Sequence, residues 1–158
     1  MGLDMYLTAK KDFYPDFGDD NKEENRKTFS KLLSGAGITV NEIDSEFPTG
    51  SVSFKVGYWR KANAIHAWFV KHCQAGVDDC NSHSVSREDL IKLKDVCTSV
   101  LADNSKANSL LPPQAGFFFG STEINEWYID DLKLTIEIID RCLKERLSTW
   151  DFSYQSSW

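Results

Sequence analysis

Leu3, Met5, Leu7 and Ala9 alternate with Asp4, Tyr6, Thr8 and Lys10. Successive side chains of a strand point to opposite faces, so this stretch predicts an opening strand with one buried face. Phe13 to Asn21, with Pro15, Gly18 and several aspartates, predicts a loop. From Lys22 to Leu33 the spacing becomes helical, with Phe29, Leu32 and Leu33 as apolar contacts, and Gly35 and Gly37 end it. Ile38 to Phe47 and Val52 to Tyr58 predict a hairpin turned by Phe47-Pro48-Thr49-Gly50, with Val52, Phe54, Val56 and Tyr58 on one face.

The densest run of informative residues is Gly57 to Cys73, GYWRKANAIHAWFVKHC. Wound as a helix from about Trp59, it places Trp59, Ala62, Ile65, Phe69, Val70 and Cys73 on one apolar stripe, with His66 in its middle. Arg60, Ala64, Ala67 and Lys71 fall opposite, and Asn63 on the boundary. Tyr58, Trp59 and Arg60 therefore sit at a strand-to-helix junction, where free backbone N–H groups can receive an anion.

Gly76 to His83 predicts a polar loop, and Ser86-Arg87-Glu88-Asp89 fits the capping box that opens a helix. Leu90, Leu93, Val96, Cys97, Val100 and Leu101 give that helix a core-facing stripe ending near Asp103. Asn104 to Gln114 is a connector, followed by Ala115-Gly116-Phe117-Phe118-Phe119-Gly120, which predicts a short buried segment or an aromatic platform. Ser121 or Thr122 then caps a long helix from Glu123 to about Leu147. Its buried stripe runs through Ile124, Trp127, Tyr128, Leu132, Ile138, Ile139 and Cys142, and encloses the polar Asp131 and Thr135. Trp150, Phe152, Tyr154, Ser156 and Trp158 recur at period two, a final strand whose expected partner is the opening one. Together these elements predict a single α+β domain over residues 1–158, an antiparallel sheet of about four strands with helices packed on one face.

Composition narrows the functional classes. With 158 residues the chain can bury a sizeable core, and its net charge of −6 opposes binding to a nucleic-acid backbone, which needs a basic surface. No apolar run approaches the roughly 20 residues of a membrane helix, and the amino terminus lacks a signal-peptide pattern, so a cytosolic protein is expected. The four cysteines, Cys73, Cys80, Cys97 and Cys142, are then expected to be free and buried. Cys73-x6-Cys80-x2-His83 has metal-ligand residue types without the paired short spacings of a zinc site, so no metal and no cofactor is expected.

YWRKANAIHAWF resembles the central signature of a family of small, uncharacterised proteins encoded by bacteriophages and prophages. The likeness extends to MGLDMYL, to GVDDC at Gly76 to Cys80, to LLPPQAGFFFGSTEINEWY at Leu110 to Tyr128 and to the closing FSYQSSW. The resemblance implies a phage origin, action in the host cytoplasm and a variable insert at residues 13–37, and it attaches no activity.

His66 and Asp131 are polar exceptions on faces that must be buried. A His66–Asp131 pair is the simplest solution, because an unpartnered buried carboxylate is costly. The candidate cleft comprises Tyr58, Trp59, Arg60, Asn63, His66, Phe118, Tyr128 and Asp131, aromatic with a few convergent polar groups. Such a cleft suits a small nucleotide-like ligand with its phosphate near Arg60 and Lys61. The sequence thus points to a phage accessory protein that acts by binding, either a host or defence protein or such a ligand. The alternative is a small hydrolase or transferase using His66 and Asp131, although no serine or cysteine is placed to be its nucleophile.

Overall fold

The structure, a computed structural model, describes residues 2–14, 22–39 and 49–158. Its elements are β1 (Asp4–Phe13), α1 (Lys22–Gly35), β2 (Gly50–Arg60), α2 (Asn63–Cys73), β3 (His83–Val85), α3 (Arg87–Ala102), the short α4 (Ala107–Leu110), α5 (Glu126–Cys142) and β4 (Asp151–Ser157). The fold is α+β, with a four-stranded antiparallel sheet in the order β2-β1-β4-β3.

The final strand lies beside the opening one, as its aromatic alternation predicts. The outer strand β3 corrects the loop expected through His83: it pairs antiparallel to β4, with His83 opposite Tyr154, Ser84 opposite Ser153 and Val85 opposite Phe152. Three residues are too few to display a period, so pairing and not pattern defines this strand. The first arm of the predicted hairpin falls mainly on residues 40–48, outside the described residues.

The chain divides into two compact units, Met1–Ala9 with Phe54–Trp158, and Lys10–Ser53. In the larger, Leu3, Met5, Leu7 and Ala9 are fully buried, as the alternation requires, against Trp59, Ile65, Phe69, Leu90, Leu93, Leu132, Ile138 and Ile139. In the smaller, α1 is largely exposed and buries Phe29, whose ring lies where a side chain at Gly50 would begin, 2.7 Å from the position of a Cβ.

β2 departs from strict alternation. Gly57 and Trp59 face α5, while Tyr58 turns the other way, its ring 5.5 Å from that of Tyr6. Lys55 also lies over the Tyr6 ring, at 3.9 Å, and Phe54 meets Trp150 instead. Val56 packs against the core while Tyr58, two residues on, turns to Tyr6, so the pleat slips and these two do not share the single face predicted for them.

β2 also runs on through Arg60, which makes Trp59 a strand residue and not the start of the helix. Lys61 then takes a left-handed conformation at φ 60°, and Ala62, at φ −75° and ψ 68°, forms an inverse γ-turn in which the Asn63 N–H donates to the Lys61 carbonyl at 2.8 Å. Because α2 starts four residues later than predicted, its buried face shifts to include Asn63 and Ala64.

α3 begins at the predicted capping box: the Ser86 hydroxyl accepts from the Asp89 N–H, and the Asp89 carboxylate accepts from the Ser86 N–H. The cap of α5 is Asn125, not Ser121 or Thr122, because its carboxamide oxygen accepts from the N–H groups of Trp127 and Tyr128. α5 ends at Cys142, where the Arg87 guanidinium donates to the carbonyls of Cys142, Leu143 and Leu147. Starting later, it leaves Ile124 outside the helix and Trp127 79% exposed, against the predicted burial of both.

Candidate functional site

The turn from β2 into α2 and the approach to α5 enclose a pocket of about 240 Å³. Arg60 to Ile65 form one wall, Gly120, Ser121, Glu123 and Asn125 the rim, and Trp127, Tyr128, Asp131 and Leu132 the wall from α5. Asn63 holds the rim in place. Its carboxamide nitrogen donates to the carbonyls of Phe119 at 3.1 Å and Ser121 at 2.7 Å, and its oxygen accepts from the Gln114 N–H at 3.0 Å. Gly120 sits at φ 87° with Lys61 close behind it, so a side chain there would be strained in backbone and crowded, 3.3 Å from the Lys61 Cβ.

The beginning of α2 has no side-chain cap. Asn63 N–H goes to Lys61 and His66 N–H to Ala62, which leaves the amides of Ala64 and Ile65 without a backbone acceptor among the described residues. Both residues line the pocket, and unpaired N–H groups at a helix start favour negative charge.

Four ionisable residues line the same pocket: Arg60, Lys61, Glu123 and Asp131. Among the described residues none of the four makes an ion pair. The Asp131 carboxyl is also without a hydrogen bond, since Asp131 enters the network only through its backbone carbonyl, which accepts from the Thr135 hydroxyl at 2.6 Å. Burial pushes this carboxyl up to about 7, and the neighbouring Asp130 charge adds to the rise.

The structure brings together only part of the predicted cleft. Arg60, Asn63, Tyr128 and Asp131 line the pocket, although Asn63 spends its polar atoms on the rim and the Tyr128 hydroxyl donates to the Leu111 carbonyl at 2.9 Å. Trp59 points into the core, where its indole N–H donates to Thr135 Oγ1 at 2.9 Å. Tyr58 lies on the opposite side of its strand and donates to the Asp4 carboxylate. Phe118 packs edge-on against Phe117, and neither it nor His66 lines the pocket.

The expected His66–Asp131 pair is replaced by another. His66 is fully buried, its Nδ1 lies 2.8 Å from the Tyr154 hydroxyl, and its Nε2 lies 2.9 Å from Asp78 Oδ2. With the ring proton on Nε2 donated to the carboxylate, Nδ1 accepts from Tyr154, and both nitrogens are satisfied. Burial, reinforced by the Asp78 charge, holds the Tyr154 phenol well above its ordinary range, consistent with its role as donor. The Ser156 hydroxyl donates to the other Asp78 oxygen at 3.3 Å. This network ties the loop after α2 to β4. With both ring nitrogens occupied and no exposed edge, His66 cannot serve as a base toward Asp131 or a ligand.

Sequence reasoning names Lys61 beside Arg60 but misses Glu123 and Trp127 as pocket residues. The signal was present at Asn125, a strong cap three residues before Tyr128, which rotates α5 so that Trp127 reaches solvent.

Among the described residues, no group of three or more His, Cys, Asp or Glu is placed to hold a metal ion, and no helix is long and apolar enough to cross a membrane. Cys73, Cys80, Cys97 and Cys142 are free, and burial pushes the Cys73 and Cys97 thiols up to about 12 and Cys142 to about 11, so these three are poor nucleophiles. What the fold and pocket define is an α+β protein with a pocket at a strand-to-helix junction, lined by ionisable residues and by two aromatic residues of α5. Comparison with family models, curated proteins and solved structures finds no match to this chain.

Proposed function

We propose that the protein acts by binding, and that the pocket between β2, α2 and α5 takes a small nucleotide-like ligand. The observation that carries this reading is Asp131, a half-buried carboxyl with neither an ion pair nor a hydrogen bond among the described residues, in a pocket that Arg60 and Lys61 also line. Charges that serve only the fold are ordinarily paired or left to bulk water. Arg60 and Lys61, at the uncapped start of α2, offer a phosphate the charge and donors it needs. The exposed indole of Trp127 supplies a flat apolar surface for a base.

A binding role fits a pocket in which, among the described residues, no serine or cysteine is paired with a base, and the resemblance to phage proteins fits an accessory protein working in the host cytoplasm. Mass spectrometry of small molecules released from protein purified from infected cells tests the reading. A phosphorylated ligand should be recovered at near-stoichiometric amounts, and the Arg60→Ala, Lys61→Ala double variant should release none. Absence of any phosphorylated compound from the wild-type protein counts against it.

A second reading has its own observation. Phe117, at the tip of the loop between α4 and α5, is 96% exposed, and Trp127 is 79% exposed. Large exposed aromatics are the anchors a protein partner buries. In that case Phe117→Ser should abolish capture of a host or defence protein while leaving small-molecule recovery unchanged.

A further inference from the structure

We infer that Asp131 determines the specificity of this pocket, its carboxylate accepting a hydrogen bond from an amino group on the base of a nucleotide whose phosphate is held by Arg60 and Lys61. The inference rests on the ligand-binding reading above and names the class of ligand.

Trp127 and Asp131 are four residues apart on α5, and both line the pocket. Residues at that spacing stand one above the other on a helix, with about 5–6 Å between their Cβ atoms. A planar ring laid against the indole therefore presents its edge toward the carboxyl one turn further on. That carboxyl has no hydrogen-bond partner among the described residues, although burial removes much of the water that would otherwise solvate it. An ionised carboxylate only accepts hydrogen bonds, so an amino edge completes it and a carbonyl edge opposes it. Sites built around a buried polar group discriminate strongly against analogues that leave the group unpaired.

Among the described residues, Asp130, beside it on its own helix, is the charged group that acts on Asp131, while Arg60 and Lys61 from the turn before α2 and Glu123 from the rim line the same pocket without pairing with it. Neither cation pairs with it, so its charge is not neutralised in advance. Because the carboxyl holds its proton up to about pH 7, accepting a donor from the ligand releases that proton. Affinity for an amino-bearing base should therefore rise with pH between about 6 and 8.

Titration calorimetry with AMP and IMP tests this. The two nucleotides share ribose and phosphate; where AMP has an exocyclic amino group beside a bare ring nitrogen, IMP has a carbonyl beside a ring N–H. Measurements from pH 6 to 8, in two buffers of different ionisation heat, count the protons exchanged, and the phosphate's own ionisation is common to both ligands. The expected result is that AMP binds at least about tenfold more tightly than IMP at pH 8. AMP should also release more protons than IMP near pH 7. Both differences should vanish in Asp131→Asn, whose fold is checked by circular dichroism. Equal binding of the two nucleotides, or a preference for AMP that survives Asp131→Asn, overturns the role of Asp131 while leaving the pocket as a nucleotide site. If neither nucleotide binds the wild-type protein, both are overturned.

Discussion

At the scale of single residues, the buried polar groups sort by what each one touches. Thr135 lies on the core face of α5 because the Trp59 indole N–H needs an acceptor there, at 2.9 Å, and the hydroxyl passes its own proton to the Asp131 carbonyl. Thr135→Val keeps the shape and strands the indole, so urea unfolding should show a loss of about 1–3 kcal/mol, largely restored in Thr135→Ser. Asp131 is the opposite case, a half-buried carboxyl that nothing stabilises. Its folded-state pKa of about 7 lies above the ordinary 3.8, so between these values the folded chain keeps a proton that the unfolded chain gives up. Stability from this group is therefore greatest at acid pH and falls as pH rises through that window. Asp131→Asn should raise the melting temperature at pH 8, change it little near pH 4, and flatten the slope between. Destabilisation by that substitution at pH 8 would mean that the carboxylate has a stabilising partner. The sequence shows that His66 and Asp131 are exceptions on apolar faces, but not which partners they find. In the sequence Asp78 falls in a polar loop and Tyr154 on the aromatic face of the last strand, so neither stands out as a partner for His66. Asp78→Ala strands the fully buried imidazole and should cost about 1–3 kcal/mol in the same assay.

At the scale of elements, legibility followed the length of the repeating pattern and the strength of the caps. β1 carries enough alternating residues to fix its buried face, β4 shows its aromatic period, and α3 starts at the capping box written at Ser86 to Asp89. β3 is three residues long and has no pattern of its own. The start of α2 was obscured because Trp59 fits a helical stripe and a strand face equally well. What decides between them is close packing: Gly57 lets β2 approach α5, and a Cβ on it would lie 2.7 Å from Ile138 Cγ2, with Trp59 and Leu7 also within 3.2 Å. Gly57→Ala should therefore push strand and helix apart and cost about 1–3 kcal/mol, read as a lower denaturation midpoint with an unchanged slope. The far end of α5 depends on the guanidinium of Arg87, which reaches three carbonyls and which a lysine cannot replace. Arg87→Lys should fray that end, seen as faster amide exchange in the turn after Cys142 with the rest of α5 protected.

At the scale of the whole molecule, the sequence made the α+β class readable because strands stand at both ends and helices between. The pocket was legible in part, through Arg60 and Asp131, because a cation at a strand-to-helix junction and an acid on an apolar face are each unusual alone. It was not legible as a shape. Lys61, named in the sequence beside Arg60, takes its place through a left-handed turn, whereas Glu123 and Trp127 enter only through the later start of α5. The central claim is that this pocket, and not the His66 network or the open face of the sheet, receives the ligand. The most direct measurement is an amide and indole NMR titration of the uniformly labelled protein with AMP. The account predicts saturable shifts at Ala64, Ile65, Gly120, Asn125 and the Trp127 indole, absent in the Arg60→Ala, Lys61→Ala variant. Shifts centred on Tyr6 and Tyr58, or on Asp78 and Tyr154, or no saturable shift at millimolar AMP, would contradict it.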